Sequence, residues 1–147
     1  MKIAVCVKQV PDSWAEKKLN ASTKLIDRES VDAVLNDLDE YAVESALQIV
    51  EANGGAEAGH SVTLISMGPE RATEALRKGL SMGADDAVLV SDGALAGSDA
   101  LATSLILAKV IQRINPDLIL CGTESTDARM SVIPSMLSER LELPQLS

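Results

Sequence analysis

"SVTLISMGPERATEALRKGLSMGADDAVLV", residues 61–90, decides the fold. Its first seven residues, 61–67, are mostly apolar and β-branched, and they read as a buried strand. Pro69 suits the first turn of a helix. Ala72, Ala75, Leu76, Gly79 and Leu80 then recur at helical spacing, and Gly83 stops the run. "DAVLV", 86–90, is a second apolar strand. A strand, a helix and a strand in such short compass is a crossover unit, and crossovers of this kind make parallel sheets.

The same alternation extends both ways. "KIAVCVK", 2–8, is an apolar strand, and "DEYAVESALQIVEANGG", 39–55, is a helix with Val43, Ala46, Leu47 and Val50 on one face. Asp37 or Asp39 can cap that helix, and Asn53-Gly54 can end it. Downstream, "SDALATSLILAKVIQRIN", 98–115, is a helix capped by Ser98 and stopped before Pro116. It is apolar nearly all round, so burial on all sides is expected. "DLILCG", 117–122, is a fourth strand, and a last helix covers about 131–141, with Ile133, Met136, Leu137 and Leu141 inward. Residues 9–36 break the rhythm, forming a long excursion with a short strand expected at "KLID", 24–27. The expectation is an α/β, parallel-sheet three-layer sandwich in one domain, 1–147, incomplete at its C-terminus because "LPQLS" leads out of a helix toward a further element.

The chain has 147 residues, and 46% are hydrophobic, which excludes disorder. Lysine and arginine number 13 against 22 acids, a net charge of -9, which speaks against sequence-independent nucleic-acid binding. No apolar run is long enough for a membrane span. Cys6 and Cys121 lie in apolar runs without metal or disulfide spacing, and read as buried small hydrophobes in a reducing compartment. His60 is the only histidine and reads as a surface residue in a polar connection. No nucleophile-and-base pair and no metal-ligand cluster is evident, so a binding protein fits better than an enzyme.

Parallel α/β folds bind ligands at the carboxyl ends of their strands, where the strand order reverses. The candidate loops are 8–14, 67–70, 90–98 and 122–131. Dinucleotide-type and P-loop glycine patterns are absent. The last loop, "GTESTDARMS", is the richest in hydrogen-bonding groups. Gly122 lets the chain leave the strand, and Ser125, Thr126 and Ser131 bring hydroxyls. Ser131 and Pro134 suit the start of the final helix, whose Val132 and Ile133 amides would face outward as an anion site, with Arg129 adding charge. Ordinary helix capping and turn chemistry account for the same residues.

"MKIAVCVKQVPD", "DEYAVESALQI", "GPERATEALRKGLSMGADDAVLV" and "GTESTDARMSVIPSMLSERLELPQ" together resemble the electron transfer flavoprotein beta subunit, collinear over essentially the whole chain and covering the N-terminal part of that family. The resemblance implies an adenine-nucleotide-binding, universal-stress-protein-like fold. It implies a heterodimer with an alpha subunit that holds FAD, carrying electrons from dehydrogenases of the acyl-CoA dehydrogenase type, in fatty acid oxidation, to a quinone or ferredoxin-type acceptor oxidoreductase. It also implies a cytoplasmic bacterial protein with no membrane insertion and no catalytic residues of its own. Most members bury a structural AMP; bifurcating members hold a second, redox-active FAD there. A stand-alone nucleotide-binding protein of the universal-stress type is the reading from another class. The family's nucleotide contacts fall on Cys6, on Asn36, Asp37, Leu38 and Asp39, on Met67, and on Gly122, Thr123, Ser125, Thr126, Asp127, Arg129, Ser131, Val132 and Ile133. Where many relatives have a glycine-rich run after "STD", this chain has "ARMSVIP". Trp14 falls in the family's segment near the alpha subunit's flavin, or else anchors the excursion by packing.

Overall fold

The computed structural model describes residues 1–147. Four strands form one parallel sheet: β1 (Lys2–Cys6), β4 (Ser61–Met67), β5 (Asp86–Val90) and β6 (Leu118–Cys121). Their spatial order is β5-β4-β1-β6. The chain thus winds outward from β1 to β5, then crosses back to place β6 on the other side of β1. The order reverses between β1 and β6.

The four helices are α1 (Asp37–Ala52), α2 (Thr73–Met82), α3 (Ala100–Ile114) and α4 (Ile133–Leu141). Strand side chains alternate between faces, so each strand feeds two layers. Ile3, Val5 and Val7 meet Val62 and Leu64 beneath α1 and α2. Ala4, Cys6 and Ile65 meet Leu107, Ala108 and Ile111 of α3 and Leu137 of α4 on the opposite face. This is the three-layer α/β sandwich expected. Helix α2 approaches the sheet closely because Gly79 has no side chain: a Cβ there would run into Leu64.

The structure corrects several local readings. Helix α1 has Asn36 at its N-cap position and no side-chain cap; Asp37 is exposed and Asp39 is buried inside the helix. Helix α3 is capped by Asp99, whose carboxylate accepts from the Ala102 amide at 2.8 Å, not by Ser98. It is not buried all round, since Leu101 is 61% and Leu105 45% exposed. His60 is partly buried, and its Nδ1 lies 2.6 Å from the chain's amino terminus. In the excursion, "KLID" contributes only an isolated bridge between Ile26 and Leu19. Its regular structure is at the ends, where β2 (Gln9–Pro11) pairs antiparallel with β3 (Ala33–Leu35). The Arg71 guanidinium ties the excursion down by donating to the Arg28 and Val31 carbonyls at 2.8 and 3.3 Å. Trp14 is 95% exposed, so it does not anchor that loop by packing.

Candidate functional site

Two segments far apart in sequence meet at the carboxyl end of β1: the start of α1 and the loop after β6. Asn36 is the fastener. It is fully buried, its Nδ2 donates to the Glu124 carbonyl at 2.9 Å, and its Oδ1 accepts from the Thr126 amide at 3.0 Å. One asparagine thus satisfies a donor and an acceptor of the loop and holds it against the sheet.

Asp39 makes the second seam. Its Oδ2 accepts from the Lys8 amide at 2.8 Å. Burial pushes its carboxyl up to about 6, although the Asn36 side chain and the Lys8 and Gly122 amides favour the charged form. Gly122 is required here for space. A Cβ at that position would collide with the Asp39 carboxylate and crowd the Leu38 backbone.

Lys8 and Asp127 make the third. Lys8 Nζ lies 2.9 Å from Asp127 Oδ1 and 3.3 Å from Ser125 Oγ. Arg28, from the excursion, lies 2.6 Å from Asp127 Oδ2. That contact is an ion pair without hydrogen-bond alignment, so Oδ2 has no donor aimed along it. Burial works to raise the Asp127 carboxyl, but the Lys8 bond and charge, helped by Ser125 and Arg28, hold it well below the usual carboxylate range.

The outer half of the loop is strained and exposed. Arg129 and Ser131 adopt left-handed backbone, φ 49° and 53°, a conformation that favours glycine. Ser131 does not cap α4. Its hydroxyl donates to Glu124 Oε2 at 2.9 Å, and Arg129 Nη1 donates to Glu124 Oε1 at 3.2 Å. The N-cap position of α4 is Val132, no side chain caps it, and Pro134 sits in its first turn. Ile133 packs against the α3–α4 cluster, and so does Met67 at the end of β4. Leu38, Thr123 and Gly122 line a cavity of about 250 Å³ with Tyr41 and Leu120 beside β6.

The expected residues therefore divide. Asn36, Asp39, Gly122, Ser125, Thr126 and Asp127 form one connected polar seam, with Cys6 buried at the end of the adjacent strand. Asp37 points away into solvent, and Arg129 and Ser131 are engaged with Glu124. Sequence reasoning missed Lys8, Arg28 and Glu124. Lys8 could have been found, because it is the second residue past the end of β1, where ligand-facing groups lie. Arg28 and Glu124 carry no local signal.

Two buried polar atoms have no hydrogen-bond partner, Asp127 Oδ2 and Ser66 Oγ, the latter one residue from the end of β4. The Arg28 guanidinium compensates the charge at Asp127 Oδ2, which leaves Ser66 Oγ as the buried polar atom with neither a hydrogen bond nor an ion pair.

Fold and site together define a doubly wound α/β domain with its polar loop at the strand-order reversal, the place where such domains hold small ligands. Residues 23–147 match the electron transfer flavoprotein domain. The chain is 48% identical over 146 residues to the electron transfer flavoprotein subunit beta of Mycobacterium leprae, covering 99% of this chain and 55% of the relative. It is 40% identical over 147 residues to the subunit beta of Thermoanaerobacterium thermosaccharolyticum, covering 100% and 54%. With Protein FixA of Azotobacter vinelandii it shares 42% over 151 residues, covering 100% and 52%. The chain belongs to the electron transfer flavoprotein family, and it spans about half the length of the curated relatives it matches. No helix is long and apolar enough to cross a membrane.

Proposed function

We propose that this chain is the nucleotide-binding part of an electron transfer flavoprotein beta subunit, and that the seam between β1, α1 and the 122–133 loop holds AMP. The observation that carries this reading is the Asn36 clamp, which sets the loop against the end of β1 at the strand-order reversal. Cys6 and the Asn36–Asp39 segment would flank the base and ribose. Ser125, Thr126 and the amides of Val132 and Ile133 would take the phosphate, with Lys8, whose Nζ lies 3.3 Å from Ser125 Oγ, as a cation beside them. For an anion to gain Arg129 and Ser131 as well, Glu124 must release them. AMP supplies no redox chemistry; it completes the polar end of the domain and stabilises it by binding. Electron transfer then belongs to the FAD of an alpha subunit, with a dehydrogenase of the acyl-CoA type as donor and a quinone or ferredoxin-type oxidoreductase as acceptor. On this reading the chain is a carrier subunit of a cytoplasmic heterodimer and not a catalyst.

The test is to denature the full-length chain, co-purified with its alpha partner, and identify the released nucleotides by chromatography and mass spectrometry. One AMP and one FAD per heterodimer are expected. Two FAD and no AMP would replace AMP by a second flavin in this site, and neither nucleotide would end the reading.

A further inference from the structure

Three loops at the carboxyl end of the sheet are tied to one short stretch of the excursion. Arg71, in the turn after β4, donates its guanidinium to the carbonyls of Arg28 and Val31. The Arg28 guanidinium reaches the other way, to Asp127 Oδ2 in the loop after β6. Lys8, just past β1, holds the other oxygen of that carboxylate at 2.9 Å. In the sheet, β1 lies between β4 and β6. Residues 28–31 therefore run from the β4 side to the β6 side, across the end of β1. The turn that carries Arg28 is set locally, because the Asp27 carboxylate accepts from the Glu29 and Ser30 amides at 3.1 and 3.2 Å. The base of the excursion is set by the β2–β3 pair, beyond which the Asp12 amide still donates to the Asp32 carbonyl at 2.9 Å.

The two ends of this span are not held alike. Arg71 grips backbone carbonyls with two hydrogen bonds. The Arg28–Asp127 contact is close, at 2.6 Å, but lacks hydrogen-bond alignment. Breaking a buried ion pair is costly when it strands the remaining charge. Here it does not. The Asp127 side chain is only 2% exposed, yet it keeps the bonded Lys8 ammonium when Arg28 leaves. We propose that residues 27–32 form a strap across the polar seam, with Arg71 as its pivot and the Arg28–Asp127 pair as its catch, and that ligand enters and leaves the seam when the catch opens. The last part rests on the reading of the seam as a nucleotide site. Arg28 is then a positioning residue: it fixes the strap over the loop, while Lys8 keeps the loop's carboxylate compensated in both states.

The test uses the full-length chain, co-purified with its alpha partner, as wild type, Arg28→Gln and Arg28→Lys. Amide hydrogen exchange is followed by mass spectrometry, and the entry and release of isotopically labelled AMP are timed alongside. Arg28→Gln should speed amide exchange in peptides covering 26–32 and 124–128 by about tenfold, as expected for one lost charge-assisted contact, and leave α1 unchanged. Arg28→Lys should recover most of the protection, since it keeps the charge. AMP should enter and leave faster together in Arg28→Gln, so that Kd moves less than either rate. That is the mark of a gate, because loss of a direct ligand contact acts mainly on release. Unchanged amide exchange in Arg28→Gln would overturn the proposal. So would faster amide exchange with unchanged AMP rates, or faster release without faster entry. A wild type without bound AMP ends the nucleotide reading, and the catch then stands or falls on amide exchange alone.

Discussion

The two faces of the sheet are built from the same strands and packed differently. Beneath α1 and α2, Ile3, Val5, Val7, Val62 and Leu64 form a continuous aliphatic cluster with Val43, Ala46, Val50 and Leu76. Beneath α3 and α4 the same strands present Ala4, Cys6 and Ile65, the cluster is smaller, and α3 leaves Leu101 and Leu105 open. Apolar burial is the main favourable term in folding, so the α1–α2 face carries more of the stability. The α3–α4 face carries both cysteines and the helix that follows the polar loop. The polar seam lies between the two faces, since Asn36 and Asp39 belong to the start of α1 and fasten the loop that leads into α4.

The largest test of that contrast is a pair of truncations. Leu64→Ala, at a fully buried site on the thick face, should cost about 4 kcal/mol, and Leu107→Ala on the thin face about 2 kcal/mol, read by urea unfolding. Equal losses would erase the distinction between the faces.

Asn36→Ala probes the seam that joins the faces at the top of the sheet. It leaves the Thr126 amide and the Glu124 carbonyl without their partner, so about 3 kcal/mol should be lost. A loss near that of a surface substitution would mean that water replaces the clamp readily. Reduced nucleotide retention is expected with it.

Protonation offers a finer measurement. The folded Asp39 carboxyl lies near 6, above its unfolded value, so its contribution is present at about pH 4 and is lost as pH rises through 6. Asp127 is held low, and its contribution is lost in the opposite direction, as pH falls below about 4. The stability difference between wild type and Asp39→Asn should therefore shift against wild type by about 2 kcal/mol between pH 4 and 7. A flat difference would show that the Asp39 carboxyl is not raised.

The smallest effect is expected at Arg129. Its side chain is 66% exposed and paired only with Glu124, and its backbone is left-handed. Arg129→Gly should stabilise by about 1 kcal/mol, because relief of the left-handed cost exceeds the loss of a surface ion pair. Destabilisation would mean that the Glu124 contact matters more than its exposure suggests.

The sequence by itself determined the layered fold. Period-2 and period-3.6 patterns are local, and in 61–90 they marked both strands, the helix and its glycine stop almost to the residue. The family resemblance pointed to the loop that Asn36 fastens to the end of β1. Local cap chemistry was less legible: Asp99 and Ser98 are neighbours, and which one caps depends on a backbone turn that neither residue type dictates. The face of α3 that stays open was hidden for a related reason, since an apolar helix does not announce which neighbour it lacks. Only the tertiary structure decided the polar seam. Asn36 meets residues some 90 positions away, and Lys8 meets Asp127 across 119. Such pairs have no period. They exist because β6 crosses back beside β1, which brings two strand ends, a helix start and an excursion to one place, where buried charges must find partners.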